Sequence, residues 1–316
     1  MKFFKIILIN TILLIILLLV ADIFSYLNMT ADYLHTSIIG LRKYNVNAIN
    51  PFTLYLKSFD SYYKIRGKGL FRPIEGLEYT KKAPIVIFGC SFAYGHMLPD
   101  NEILSARLAE KARRTVYNFA YPAWGVQEII YLFKHNDTLR NIEKKAASEE
   151  NNTIQYIIYW YISDHLRRIY HEFDFCSVYY YLNYEEKNGD LVPKNHKYPF
   201  IDAYYVVKNY KYYKSYEDFR YIPEETKYKF FNLHLKKIME EKSKYFPNAQ
   251  FILMSSSEPF PDKEVEILKN MNIRVLYTKD LTGVDMESDP EWTLDDHPNA
   301  AAVELLSDAL IKELDL

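Results

Sequence analysis

The segment PIVIFGCSFAYG, Pro84–Gly95, is a short apolar run that ends in glycine and is followed two residues later by a serine. An uninterrupted apolar run of this length is typical of a parallel strand that is buried on both faces. The carboxyl ends of such strands form the edge at which α/β proteins bind ligands and present nucleophiles. The segment therefore predicts an α/β fold with Ser91 as a candidate nucleophile at the functional edge of its sheet.

Further β-prone runs follow along the chain, and segments with helical apolar spacing separate them. The predicted strands are Ile85–Phe88, Thr115–Phe119, Gln155–Tyr161, Gln250–Met254 and Ile273–Tyr277. The predicted helices are Leu104–Lys111, Val126–His135, Lys229–Lys244 and Ala300–Leu314. This alternation predicts a three-layer α/β/α sandwich with a mostly parallel central sheet.

With 316 residues, the chain can bury one sizeable core and still carry an insertion. We assign the α/β body to residues 83–316 and a tyrosine-rich insertion to about 168–228. Such an insertion is expected over the carboxyl edge of the sheet, where substrate-binding loops usually lie. Residues 25–82 are interrupted by glycine and proline, and we expect them to form a stalk or a partial cap.

Residues 1–24 combine a basic start, Lys2 and Lys5, with an almost continuous apolar run. The run approaches the roughly 20 residues that cross a bilayer, and the lysines favour a cytoplasmic amino terminus. No small-residue cleavage motif follows, so we interpret the segment as a transmembrane helix that anchors the chain, with a cleaved signal peptide as the alternative. Both interpretations place the rest of the chain outside the cytoplasm, in the periplasm or the extracellular space.

The charges are nearly balanced, with 39 basic and 41 acidic residues and a formal net charge of −2. A nucleic-acid-binding protein needs a basic surface that displaces counterions, so the composition argues against that class. The two cysteines, Cys90 and Cys176, cannot build a disulfide framework or a paired-cysteine metal site, and we expect free thiols. We predict no cofactor and no bound metal ion.

A serine hydroxyl is a weak nucleophile and needs a base, which is normally a histidine oriented by a carboxylate. The sequence DDHPN, Asp295–Asn299, offers both groups directly before the last predicted helix, and Pro298 suits the first turn of that helix. Asp295 is the candidate that orients the imidazole of His297. Asp296 is less suited to this role because it immediately precedes the histidine. The alternative is that Asp295 or Asp296 only caps the helix and His297 is a bystander.

Together, GCSFAYG at Gly89–Gly95 and DDHPN at Asp295–Asn299 resemble the first and last sequence blocks of the SGNH/GDSL hydrolase family. The first block of that family is G-D-S-x-x-x-G, and Cys90 replaces its aspartate here. The resemblance extends over roughly residues 83–310. It implies a flavodoxin-like α/β/α fold and a catalytic triad of Ser91, His297 and Asp295. Members of the family are esterases, lipases, acyltransferases and carbohydrate O-acetylesterases.

The two middle blocks of the family match this chain less closely. Asn118–Gly125 resembles the second block, in which a backbone N–H helps to form the oxyanion hole, and Ala123 stands where the family has glycine. Tyr161–Asp164 resembles the third block, G-x-N-D, with Ser163 in place of the asparagine. The resemblance thus implies an oxyanion hole formed by the N–H groups of Ser91 and Ala123, with the Ser163 hydroxyl or, as the alternative, His165 in place of the asparagine amide.

Residues beside these blocks are candidate substrate-binding groups: Trp124, His165 and Arg167. The 30 tyrosines of the chain offer aromatic faces that can stack on sugars, and tolerance of tyrosine on half-buried surfaces is the alternative explanation for their number. Arg167 can bind an anionic sugar, and a solvated surface position is its alternative explanation.

We therefore expect a serine esterase that removes O-acetyl or another short acyl group from a cell-surface carbohydrate. An O-acyltransferase would use the same triad, and only the exclusion of water from the site would distinguish it. A metal-dependent hydrolase could use Asp164, His165 and Asp295–His297 as ligands. A non-catalytic glycan-binding protein on a degenerate hydrolase scaffold is the third alternative.

Overall fold

The structure, a computed structural model, describes residues 83–121, 124–136, 139–142, 153–169, 184–193, 223–257 and 259–316. The predicted anchor at 1–24, the stalk at 25–82 and most of the insertion at about 168–228 lie outside the described residues. These assignments and the domain boundaries stay predictions. Within the ranges given above, no helix is both long enough and apolar enough to cross a membrane.

The strands and helices of the described residues alternate along the chain as the sequence predicts. The strands are β1 (Ile85–Gly89), β2 (Val116–Asn118), β3 (Tyr156–Tyr161), β4 (Tyr184–Lys187), β5 (Asp190–Pro193), β6 (Gln250–Ser255), β7 (Ile273–Tyr277), β8 (Thr293–Leu294) and β9 (His297–Pro298). The helices are α1 (Ser91–Tyr94), α2 (Leu104–Ala112), α3 (Val126–His135), α4 (Asp164–Ile169), α5 (Glu224–Tyr245), α6 (Asp262–Asn270), α7 (Thr278–Thr282) and α8 (Ala300–Leu314).

The central sheet has five parallel strands in the order β2-β1-β3-β6-β7. All five correspond to predicted strands, so the prediction of a parallel α/β sheet is confirmed. The remaining strands form two small antiparallel hairpins, β4–β5 and β8–β9.

Helices cover both faces of this sheet. Ile87 and Trp160 pack into a buried cluster with residues of α2 and α8, which contact each other. Phe88 points to the opposite face, where its ring lies 5.7 Å from that of Phe133 in α3. This alternation along β1 is the period of two expected for a strand, and it produces the three layers.

The register of the sheet brings three serines to one edge. Gly89 of β1 pairs with Trp160 of β3, which in turn pairs with Met254 of β6, so the three strands end at the same level. Ser91, Ser163 and Ser257 follow these strands by a few residues. The edge that the sequence predicts to be functional therefore carries hydroxyl groups directly after three neighbouring strands.

The hairpin β8–β9 presents His297, and its geometry corrects the predicted position of Pro298 and excludes the alternative role of the two aspartates as helix caps. Asp295 and Asp296 form its two-residue loop with φ angles of 53° and 57°, which is the pattern of a type I′ turn. Pro298 lies in β9 rather than in the first helical turn. Asn299 caps α8, since its side chain accepts a hydrogen bond from the Ala302 N–H. The two aspartates thus form a turn and do not cap the helix.

Candidate active site

Ser91 begins α1 directly after β1, and the turn between them requires glycine at position 89. Gly89 has a φ of 153°, and a Cβ there would lie 2.7 Å from the Ala93 Cβ and 2.9 Å from the Trp160 carbonyl oxygen. Any side chain would therefore push α1 away from the neighbouring strand. Ser91 is only 9% exposed, so this residue is largely shielded from solvent at the carboxyl edge of the sheet.

Asn118, from the second predicted block, holds this turn in place. Its buried amide donates a hydrogen bond to the Ala93 carbonyl at 2.8 Å, and its side-chain oxygen accepts one from the Ala120 N–H at 3.0 Å. The N–H of Tyr121 donates to the Gly89 carbonyl at 3.2 Å. The segment that follows β2 is thus tied to the turn that carries Ser91.

Ser91 and His297, 206 positions apart in sequence, form a hydrogen bond in the structure. The Ser91 Oγ lies 2.7 Å from the His297 Nε2, and the His297 Nδ1 lies 2.5 Å from the main-chain carbonyl oxygen of Asp295. A carbonyl oxygen can only accept, so the proton of the neutral imidazole is on Nδ1. Nε2 is then free to accept the Ser91 proton, which is the arrangement of a general base with its nucleophile.

The partner of Nδ1 differs from the sequence prediction. The resemblance implied that the Asp295 carboxylate orients His297, but in the structure the main-chain carbonyl of Asp295 accepts this hydrogen bond, and the residue's side chain is exposed. The type I′ turn explains the difference, because it carries the Asp295 carbonyl into reach of Nδ1. Asp295 contributes a backbone atom to the site, which a sequence motif does not reveal.

We predict that Asp295→Asn retains most of the activity. Asparagine tolerates the positive φ of this turn and keeps the main-chain carbonyl while removing the carboxylate charge. The turnover number kcat should fall by less than about 10-fold, whereas loss of a carboxylate that orients the base costs about 10⁴-fold in a serine-protease triad. Steady-state kinetics with an aryl acetate measure this.

The matched control for that prediction is Asp296→Asn, in the same turn and with nearly the same φ. Both variants should behave alike. A drop of 10³-fold or more in Asp295→Asn alone would assign the orienting role to the carboxylate.

His297 packs between two aromatic rings from the nucleophile's own segment. Its ring lies 5.4 Å from that of Phe92 and 4.9 Å from that of His96. The His96 N–H donates to the Ser91 carbonyl at 2.9 Å, so the chain turns back toward Ser91 after α1. The sequence analysis missed His96, and its only signal was a histidine one residue after the glycine that ends the first block.

The hydroxyl of Ser163, the predicted third oxyanion donor, is used by another group. It donates to Glu287 Oε1 at 2.8 Å, and the Ser257 hydroxyl donates to Glu287 Oε2 at 2.6 Å. A serine has one O–H donor, so Ser163 cannot stabilise an oxyanion while it binds this carboxylate. The structure thus places Ser163 at the predicted edge but in a different contact.

We predict that Ser163→Ala lowers kcat by less than about threefold, because its donor is directed to Glu287. A side chain that donates to the oxyanion costs about 10²- to 10³-fold when it is removed. Ser257→Ala is the matched control, since it deletes the other hydroxyl on the same carboxylate. A loss of 10²-fold confined to Ser163→Ala would show instead that its hydroxyl turns to the oxyanion during the reaction.

Two of the predicted substrate-binding side chains are buried, which corrects their assignment. Trp124 is 3% exposed and His165 is fully buried. The His165 ring stacks on Tyr159, hydrogen-bonds its hydroxyl through Nδ1, and has a pKa well below the usual value because burial disfavours the charged form. Both residues pack inside the protein and cannot contact substrate there. Ala123 and the side chain of Arg167 lie outside what the structure describes.

The remaining groups considered in the sequence analysis are the cysteines and the candidate metal ligands. Cys90, next to the nucleophile, is a buried free thiol. In the ranges that the structure covers, no three His, Cys, Asp or Glu side chains are grouped as metal ligands would be.

No protein-family model matches the sequence, and no curated protein matches it either. Solved structures similar to this chain include one assigned to the lipolytic G-D-S-L family, from Desulfitobacterium hafniense, with 15% identity and a TM-score of 0.38, covering 73% of this chain and 99% of that one. Another is a family two carbohydrate esterase from Clostridium thermocellum in complex with cellohexaose, with 10% identity and a TM-score of 0.40, covering 77% of this chain and 65% of that one.

A third similar structure is a salicylyl-acyltransferase from a tetracycline biosynthetic pathway. It has 13% identity and a TM-score of 0.40, covering 74% of this chain and 55% of the other.

Proposed function

We propose that this protein is a serine esterase that removes O-acetyl or another short acyl group from a carbohydrate. One observation carries the proposal: the Ser91 Oγ lies 2.7 Å from the His297 Nε2, while Nδ1 is held by a carbonyl oxygen that fixes the required tautomer. A serine and a histidine in this relation form the nucleophile–base unit of acyl transfer.

The first half of the reaction forms an acyl-enzyme. As the Ser91 Oγ attacks the ester carbon, His297 Nε2 takes its proton, and the carbonyl oxygen of the ester becomes an oxyanion. The N–H groups of Ser91 and Ala123 are the proposed donors to this oxyanion. The intermediate collapses, the alcohol leaves with the proton from Nε2, and the acyl group remains on Ser91.

The second half returns the enzyme to its starting state. A water molecule gives its proton to His297 Nε2 and attacks the acyl carbon, and a second oxyanion forms in the same place. Collapse releases the carboxylic acid, and the Ser91 Oγ recovers its proton from Nε2. An acyltransferase would replace the water by an acceptor hydroxyl, with the same atoms on the protein.

Partly exposed aromatic rings beside Ser91 support a carbohydrate as the alcohol portion. Tyr94 belongs to α1, the helix that Ser91 begins, and its ring lies 5.8 Å from that of Tyr121, edge to face. Both residues are partly exposed, and aromatic faces stack on the apolar faces of sugars.

We further propose that residues 1–24 tether the enzyme to a membrane with the α/β body outside the cytoplasm, as their apolar run suggests.

The test uses the full-length chain with an O-acetylated oligosaccharide, alone and with a deacetylated acceptor. Release of acetate that a fluorophosphonate blocks supports the esterase. Acetyl transfer to the acceptor in excess of acetate release would assign the acyltransferase. Inhibition by a chelator but not by the fluorophosphonate would favour metal-dependent hydrolysis, and glycan binding without any turnover would identify a binding protein.

A further inference from the structure

Two exposed apolar side chains lie next to the proposed base. Met97 is 58% exposed and Leu294 is 49% exposed, whereas the other large apolar side chains of the described residues are buried or partly buried. A single exposed apolar residue is ordinary on a protein surface, but two at one place in the fold indicate a contact surface.

Leu294 lies directly beside the imidazole of His297. The two residues are cross-strand partners in the hairpin β8–β9 and flank its two-residue loop. Directly opposed residues of an antiparallel pair project their side chains to the same face, with Cβ atoms about 5 Å apart. The Leu294 side chain is therefore a neighbour of the ring that bonds the Ser91 hydroxyl, and about half of the residue stays open to solvent.

Met97 belongs to the segment that carries Ser91 and packs on His297. It directly follows His96, whose ring lies 4.9 Å from that of His297. The φ of Met97 is 66°, a left-handed conformation that long side chains rarely adopt. Burial does not explain this residue, because its side chain is exposed. The chain thus keeps an apolar group at the surface one residue away from the ring that packs on the base.

The chemistry of the base determines which part of the substrate comes here. His297 Nε2 gives the Ser91 proton to the oxygen of the leaving alcohol, so that oxygen must come within hydrogen-bond distance of Nε2. In acyl transfer, the hydroxyl of the acceptor alcohol takes the same position, because the second half of the reaction is the reverse of the first. The carbon atoms attached to this oxygen then lie beside the imidazole, where Leu294 is the neighbouring side chain.

We propose that Leu294 and Met97 form an apolar subsite for the alcohol portion of the substrate, both as leaving group and as acceptor. This inference rests on the proposed acyl-enzyme at Ser91. The alcohol that fits is uncharged near the ester oxygen and presents several adjacent C–H groups, as the apolar face of a sugar does. Selectivity arises because C–H groups packed against these side chains lose contact with water.

The test measures how the acetyl-enzyme of the full-length chain partitions between water and simple alkanols. The chain is acetylated with an aryl acetate in the presence of methanol, ethanol, 1-propanol or 1-butanol, and the initial ratio of alkyl acetate to acetate is determined. Every alkanol attacks the same intermediate, so the ratio reports on the position of the alcohol. Full burial of a methylene favours binding by about fourfold, and on two partly exposed side chains we expect about twofold per methylene, or about eightfold from methanol to 1-butanol.

Four variants complete the design. Leu294→Thr keeps a β-prone residue in β8 but removes most of its apolar surface, and should reduce the increase from methanol to 1-butanol to less than about threefold. Leu294→Phe enlarges the surface and should raise the increase above the wild-type value, which decides the question if the threonine variant does not fold. Met97→Asn suits the positive φ and should also flatten the series. Its matched control is Met239→Asn, a partly exposed methionine in α5, the helix whose Tyr245 stacks on Phe133 of α3, and this variant should keep the wild-type selectivity.

The outcomes separate this subsite from the proposed function. Normal acetate release with equal product ratios for methanol and 1-butanol, or with no alkyl acetate at all, would overturn the subsite alone. Wild-type selectivity in both Leu294 variants would do the same. Absence of acetate release and of fluorophosphonate labelling in the wild type would overturn the esterase and the subsite with it.

Discussion

Replacement of Ser91 by alanine should abolish fluorophosphonate labelling and lower kcat for an acetyl ester by about 10⁴- to 10⁶-fold. The upper bound is the cost of removing the nucleophile in a serine protease, and some activity remains because oxyanion donors and substrate binding still accelerate the reaction over water. Cys90 cannot take over, because its thiol is fully buried in the core beside the nucleophile turn. Among the described residues the Ser91 hydroxyl forms its hydrogen bond with His297, which is not part of the core, so the fold should not change.

The control for this variant is Ser243→Ala, which removes an exposed hydroxyl that bonds only within α5. It should label and turn over as the wild type does. Circular dichroism and a thermal unfolding curve should be unchanged in Ser91→Ala. Labelling or full hydrolysis that persists in this variant would place the nucleophile elsewhere and remove the basis of the proposed function.

The sheet could be predicted from the sequence because its strands are distinct apolar runs. Ile85–Gly89 and Tyr156–Tyr161 are buried on both faces, so they have no polar residues that would obscure the pattern. The pairing of Ser91 with His297 followed from two short motifs at opposite ends of the chain. Their chemistry is specific enough that residue type and order indicated the contact.

Other features depended on backbone geometry, which residue types do not specify. Asp295 is in the predicted place, but the positive φ of its turn directs its main-chain carbonyl to His297. The hairpin β4–β5 was not predicted, although its Asn188-Gly189 loop is a common type I′ sequence, because the flanking strands lie in a polar, tyrosine-rich segment.

Burial of polar side chains was also hard to predict. His165 and Arg168 follow a strand at the functional edge, where a sequence argument expects exposed, substrate-binding groups. In the structure both side chains are buried: His165 hydrogen-bonds the Tyr159 hydroxyl, and Arg168 donates to the Trp124 carbonyl. Only tertiary packing determines which polar side chains of a short helix such as α4 face solvent.

Replacement of His297 by alanine should lower kcat by about 10⁴-fold or more, because no other base is bonded to the Ser91 hydroxyl in the described structure. Comparison of His297→Ala with Asp295→Asn tests which atom orients the imidazole. If the main-chain carbonyl orients the imidazole, deleting the base is severe while deleting the nearby carboxylate is mild. A triad with a side-chain acid would lose activity in both variants.

Added imidazole distinguishes the loss of a base from the loss of structure. The alanine variant leaves space between the rings of Phe92 and His96, where the native imidazole packs at 5.4 and 4.9 Å. Free imidazole should enter this space and raise the hydrolysis rate of His297→Ala in a saturable way, since it can accept the Ser91 proton there. The same concentrations should not restore Ser91→Ala, which has no nucleophile to activate. Near-wild-type turnover by His297→Ala without imidazole, or equal rescue of both variants, would show that the Ser91–His297 hydrogen bond does not carry the reaction.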